Sequence, residues 1–443
     1  MKWFVQEDES RWGRILGKKW ATYALLAILT VCYWVTYSQI YDTKLDLNGD
    51  NIYYYSLGKA LSDGKGFTDI MWFEERPHSH FPPGYPLFVA GLMKIVPDSV
   101  QAVKIANGVL LYAAILLLFF LLKKMSGDVP IAFLSCLFTS VHPEILRYAT
   151  IMMSEILFLF CTVSALYLAI SMKVEKIFTK AGIRDTVFFV LLVVLMNYIY
   201  FVRTMGMSFI LALIVYAGIL LVQKIVSYLK KKSVSLKDLC RYGIFFSVLA
   251  ISFLVTRHCW NVRNENIGKV QSDYIADFKK KPGGQVMSDW AERIGNNYNA
   301  YLNDYFPTAV FAKDYRTGEQ GGTFRGYALA FCFVLGLLGL RKGGLLMFLY
   351  LGATVAVLLV WPEQYSGLRY FIALIPLLIF LFYHGIRTGL VWILSRLKIK
   401  WPASIVSTGI VALALLFAMP AYAKALERPK MMAKDKEWTV GTA

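Results

Sequence analysis

Charge is scarce in this chain, and acid scarcest of all. Only 17% of its 443 residues are Asp, Glu, Lys or Arg, whereas a soluble domain usually holds about a quarter. The 29 acids face 47 bases, for a net charge of +18. A disulfide framework is also missing. Cys32, Cys136, Cys161 and Cys332 lie inside apolar runs and read as small packed hydrophobes, while Cys240 and Cys259 fall at opposite ends of one run. There is no strict alternation of apolar and polar residues, which a membrane β-barrel would need. No repeat of solenoid period and no low-complexity tract is present. No cleavable signal peptide is evident: the first apolar run starts near Trp20, behind a charged segment, and reads as a signal anchor.

What the chain does have is apolar surface, gathered in blocks. Hydrophobic residues make up 57% of it, and the mean hydropathy is +0.51. The blocks fall at 20–41, 103–122, 130–142, 154–172, 186–202, 206–223, 242–259, 327–340, 344–361, 370–386 and 403–422. Most approach the length needed to cross a bilayer core of about 30 Å. Lipid offers the backbone no partners, so only helices or closed barrels can span it. The expected class is therefore an all-α polytopic membrane protein of about eleven transmembrane helices. The third block is short, and the segment 388–399 reads as an amphipathic helix lying in the interface.

The bases explain themselves by position. Arg11, Arg14, Lys18 and Lys19, then Lys123 and Lys124, then Lys173, Lys176, Lys180 and Arg184 occupy alternate connections. Lys224, Lys230 to Lys232, Arg341, Lys342, Arg387, Arg396, Lys398 and Lys400 continue the series. These connections should be cytoplasmic. The net charge then needs no nucleic acid, and none is expected. The chain divides into a cytoplasmic N-terminus (1–19), a transmembrane core (20–259) with a large first outward loop (42–102), a second, partly helical outward loop (260–326), C-terminal transmembrane helices (327–422) and a tail (423–443). An odd number of spans puts the tail outside, against the sign of its lysines.

The first outward loop is rich in chemical groups. Asp46 and Asp50 precede Tyr53, Tyr54 and Tyr55, and a helical pattern begins at Asp50. Asp50-Asn51 reads either as a helix N-cap or as a general base at the membrane face. Further on, His78-Ser79-His80-Phe81-Pro82-Pro83-Gly84-Tyr85-Pro86 is a rigid lead-in to an apolar helix. A divalent metal is not expected; His78 and His80, two apart with Glu74 and Glu75 upstream, are the residues that would hold one.

Other charges stand where lipid should discourage them. Glu155 opens an apolar span, where an acid is costly unless it is paired or functional, and Arg147 upstream is a candidate partner. Arg203, Arg263 and Arg369-Tyr370 mark the outer ends of spans, against the positive-inside bias. One such Arg can snorkel to headgroups. Several near an acid point to a phosphate-bearing ligand, which Arg grips bidentately. In the second outward loop Trp290, Tyr298, Tyr301 and Tyr305 sit near helical spacing and read equally as sugar-stacking faces or as the docking face of a surface helix.

Taken together these residues resemble the GT-C superfamily of integral-membrane glycosyltransferases, of the protein O-mannosyltransferase and aminoarabinose lipid A transferase type. The likeness rests on Asp50, Tyr54 and Gly64-Lys65-Gly66-Phe67 in the first outward loop, the Pro82–Pro86 segment, Glu155 in the next outward turn, Arg203 and Arg369-Tyr370. It is best over 1–210. Two departures stand out: Asp50-Asn51 replaces an Asp-Glu pair, and His80-Phe81 occupies the place of a phosphate-contacting Lys, so His80 is the candidate replacement. The resemblance implies transfer of a sugar from a polyprenyl-phosphate donor to an acceptor hydroxyl or phosphate, with inversion. Asp50 would be the base and Glu155 a second catalytic acid. Arg203, Arg369, Arg263, His80 and Arg147 would bind the donor phosphate, and Asp46, Tyr54, Tyr85 and Tyr370 would line the substrate. No cofactor is implied beyond the lipid-linked donor. The partners would be membrane lipid, that donor, and a glycan, lipid or protein acceptor, at the outer face of a bacterial inner membrane. The rival classes are a transporter or flippase, and a polymerase or ligase, for lipid-linked sugars.

Overall fold

A computed structural model describes residues 11–44, 49–71, 74–230, 234–267, 286–313, 322–363 and 366–434. It is helical nearly throughout. A short α1 (Arg11–Leu16) leads into α2 (Lys19–Ile40). Leu29, Tyr33, Tyr37 and Ile40 line one face of α2 and are buried. The hydroxyls of Tyr33 and Tyr37 donate to the carbonyls of Gly108 and Lys104, at 2.6 and 2.9 Å. A helix face that carries hydrogen-bond donors against another helix's backbone is fixed in register as well as in distance.

Beyond α2, the loop expected to face outward contains α3 (Asp50–Ser62), a two-residue antiparallel pairing of β1 (Thr68–Asp69) with β2 (Arg76–Pro77), and α4 (Gly84–Met93). Then come α5 (Val100–Ser126), α6 (Val129–Ser140), α7 (Pro143–Ala149), α8 (Glu155–Ser171), α9 (Ile183–Val202), α10 (Gly206–Leu229) and α11 (Leu236–Asn266). Local chemistry explains several ends. Ser99 caps α5 by accepting the Ala102 N–H at 3.1 Å, and Gly127, at φ 73°, closes that helix in the left-handed conformation. Asp128 caps α6 in turn, accepting the Ile131 N–H at 3.0 Å.

The second half holds α12 (Val286–Ala300), α13 (Phe306–Phe311), α14 (Gly322–Leu338), α15 (Gly344–Val360), α16 (Ile375–Arg396), α17 (Ala403–Phe417), α18 (Met419–Ala425) and α19 (Glu427–Lys434). Buried on nearly all sides, α16 is the central post of the bundle. At its far end Arg387 pairs with Asp128 at 2.6 Å, and Ser407 donates to the same carboxylate at 2.5 Å, joining α6, α16 and α17.

Each of the eleven expected spans contains a helix. Among the described residues seven helical runs are long and apolar enough to cross a membrane, and an eighth arises if α6 and α7, bent by 57° at their junction, count as one broken span. Glu155–Ser171, Thr323–Leu338 and Gly344–Val360 are shorter apolar helices. The chain is thus a multi-pass membrane protein. One expectation is corrected: 388–399 is not a separate interfacial helix, because α16 runs unbroken through Arg396. Nothing in that stretch stops a helix, and Thr388 is buried within the bundle. The tail also finds its side. Lys44, just past the end of α2, donates to the Met432 carbonyl, and Tyr422 donates to Val310 O at 2.6 Å. Residues up to 434 therefore lie at the same end as the first outward loop.

That end is assembled by close backbone approach. A Cβ added at Gly84 would sit 2.6 Å from the Phe201 carbonyl and 2.8 Å from Val202 N, so α4 touches the end of α9 where Arg203 follows. Gly84→Ala should therefore cost about 1–3 kcal/mol, the usual penalty of overpacking. Thermal unfolding of the protein in lipid discs checks it; an unchanged midpoint would show that the two helices part without strain.

Candidate active site

Asp50 is the first residue of α3, and Gly49, at φ 52°, holds the N-cap position instead. The capping role considered for Asp50-Asn51 therefore falls to glycine, which takes that backbone conformation at low cost. The Asp50 carboxylate turns to Arg369 and pairs with its Nη2. Arg369 in turn directs Nε to Glu155 Oε1 at 2.5 Å, and Arg203 Nη1 reaches the same oxygen at 2.6 Å. The result is an alternating chain of charge, Asp50–Arg369–Glu155–Arg203, drawn from α3, the turn before α16, the start of α8 and the end of α9.

Burial grades along this chain. Asp50 and Arg369 side chains are 31% and 30% exposed, Arg203 10% and Glu155 1%. Glu155 is the foundation, because an ion this deep is tolerable only when paired. Its other oxygen, Oε2, is buried and accepts no hydrogen bond from any described residue. Arg203 Nη1 also donates to Ser154 Oγ at 3.1 Å, and that hydroxyl meets the Tyr54 hydroxyl at 3.3 Å. Burial pushes the Tyr54 phenol up to about 12, with Arg203 partly opposing, so it stays protonated at neutral pH.

The remaining candidates take other places. Tyr85 is fully buried beneath Tyr54, their rings 4.9 Å apart, and its hydroxyl accepts from Asn107 at 3.0 Å. Tyr370 packs against Trp361 with the rings tilted by 49° and 5.3 Å apart, beside Arg369. Arg147 is exposed on α7, and among the described residues Glu155 pairs with Arg203 and Arg369 instead. Arg263 donates to His78 O at 2.6 Å and lies over the rings of Trp260 and Phe67, bracing the first outward loop. His78 Nε2 accepts the Phe81 N–H at 2.9 Å, and the His80 ring stands perpendicular to His78 at 6.5 Å. Among the described residues no group of three His, Cys, Asp or Glu converges as a metal site. Asp46 lies outside the described residues.

Two contributors escape a reading of the sequence. Ser154 stands beside Glu155 and draws notice only through that neighbour. Asn297, on α12, gives no signal at all: it is one Asn among several in a polar loop. Yet it is 1% exposed and bonded on every side.

No family model matches the sequence, and no curated protein matches it. Solved structures do share its architecture. The archaeal oligosaccharyltransferase AglB from Archaeoglobus fulgidus, in complex with an inhibitory peptide and a dolichol-phosphate, aligns over 93% of this chain and 56% of its own, with a TM-score of 0.53 and 14% identity. ArnT from Cupriavidus metallidurans, in the apo state, aligns over 93% of this chain and 76% of its own, with a TM-score of 0.53 and 11% identity. At such identities the likeness is one of fold: the chain has the GT-C fold. It spans about half the length of AglB.

Proposed function

We propose that this protein is an integral-membrane glycosyltransferase that moves a sugar from a polyprenyl-phosphate donor to an acceptor hydroxyl or phosphate at the outer face. The observation that carries the reading is the alternating chain Asp50–Arg369–Glu155–Arg203 at one end of the bundle. Two guanidiniums side by side at one end of the bundle suit a lipid phosphate, and such clamps stabilise charge as it develops on a leaving group. AglB, which shares the fold, was captured with a dolichol-phosphate.

The reaction balances as follows. An acceptor hydroxyl attacks the anomeric carbon while its proton passes to Asp50; a phosphate acceptor attacks as its anion and needs no base. The bond from that carbon to the phosphate oxygen breaks, and its electron pair leaves with the polyprenyl phosphate. Arg203 and Arg369 meet the added negative charge. In-line attack inverts the anomeric centre. Glu155 holds both guanidiniums in place. Arg369 has a double duty: it occupies Asp50 until a phosphate draws it away, so the base becomes available when the donor is seated. Arg263 and Tyr85 support the loop and the helix that carry the charge chain.

The transporter alternative would favour charges near the bilayer midplane, at broken helices. Here, among the described residues, Glu155 pairs with Arg203 and Lys104 with Asp42 at one end of the bundle, and Asp128 pairs with Arg387 at the other. The deciding experiment uses the purified protein in lipid discs with a panel of radiolabelled polyprenyl-phosphate sugars. Turnover of one donor supports the reading and names the sugar. A donor that crosses sealed vesicles without being consumed would overturn it.

A further inference from the structure

We infer that Asn297 is a positioning residue that sets the place of Arg369. This rests on the donor-phosphate role proposed for Arg369, but the geometry behind it is independent of that role. The problem begins where α15 stops. The last carbonyls of a helix have no partner within it, and Pro362 cannot continue the helix. Asn297 Nδ2 donates to one of these, Leu359 O at 3.0 Å, and to Trp361 O, just past the helix, at 2.7 Å. Its Oδ1 accepts from Ser366 Oγ at 2.8 Å. One amide thus holds both arms of the turn, at 361 and at 366, three residues before Arg369.

The neighbouring ring residues reinforce the grip. Tyr301 OH accepts the Gly367 N–H and Tyr305 OH donates to Ser366 O, both at 3.4 Å. The second outward loop is therefore not only a surface helix. Through a side chain that is 1% exposed it clamps the turn that presents Arg369 to Asp50 and Glu155. A buried amide that satisfies three partners in one geometry specifies that geometry, because any shift strands polar groups. This gives the loop a task that its Tyr and Trp spacing did not suggest.

The test is a double-mutant cycle on binding of polyprenyl monophosphate to the full chain in lipid discs. Asn297→Ala should weaken binding by about tenfold. In an Arg369→Ala background the same change should matter less than about twofold, since the residue acts through Arg369. Tyr298→Phe, on the exposed neighbour, should bind as wild type. Normal binding by a folded Asn297→Ala protein overturns the inference. An equal loss in both backgrounds does so too, because it marks a merely structural role. Should Asn297→Ala fail to fold, Ser366→Ala cuts one of the three bonds and is put through the same cycle.

If the wild type binds no polyprenyl monophosphate, the glycosyltransferase reading fails by itself. The positioning role is then judged by a nitroxide at Glu363→Cys, in a chain with Cys240→Ser and Cys259→Ser. Its spectrum should be immobilised in the parent and mobile with Asn297→Ala; an unchanged spectrum overturns the inference.

Discussion

Asp50→Asn should abolish sugar transfer while leaving the protein able to hold its lipid phosphate. Removing a positioned general base typically costs 100- to 10,000-fold in rate. The binding side of the prediction is sharper. Two carboxylates, Asp50 and Glu155, balance two guanidiniums, Arg203 and Arg369. A phosphate must compete with Asp50 for Arg369. Asp50→Asn removes that competitor and leaves one positive charge in excess, so polyprenyl monophosphate should bind at least as tightly as to wild type, by roughly threefold or more at low salt. Parallel measurement of transfer and of lipid-phosphate affinity decides it. Lost binding together with lost transfer would make Asp50 a structural partner of Arg369 and not a base. Retained transfer would remove Asp50 from the chemistry altogether.

Glu155→Ala should be the most destabilising change at this end of the molecule. Replacing a whole buried ion pair with apolar groups can be nearly neutral, but deleting one partner leaves the other charge stranded, at about 3–5 kcal/mol. Glu155 answers for two guanidiniums at once, Arg203 at 2.6 Å and Arg369 at 2.5 Å. Glu155→Gln keeps the shape and hydrogen-bonding oxygen yet removes the charge, and should fall between the variant and wild type. Thermal unfolding in lipid discs is the measurement. If Glu155→Ala unfolds with wild type, water must reach both arginines in the native state, and Glu155 is not the foundation described above.

Most members of the charge chain stand out in the sequence as misplaced charges. Glu155, Arg203 and Arg369 each stand at the end of an apolar run, where lipid penalises them, and that penalty is a local property. Their pairing is not local. Glu155 invited Arg147, eight residues away in the sequence, yet found Arg369 at a separation of 214. Helical spacing says which residues share a face; it does not say which helices become neighbours. Arg263 shows the same limit from the other side. In sequence it matches Arg203, an arginine at the outer end of a span, yet it braces the 67–78 segment and stays out of the charge chain.

That the chain crosses a membrane many times, in helices, is already written in its residues. The reason is the solvent: apolar runs of that length are stable in lipid, and lipid allows the backbone only helices or closed barrels. Tertiary structure alone decided that α16 continues through 388–396, that the tail returns to the Asp50 end, and that Asn297 holds the Arg369 turn. These depend on which surfaces meet, and a polar side chain can be committed to several partners without leaving any periodic trace in its own segment.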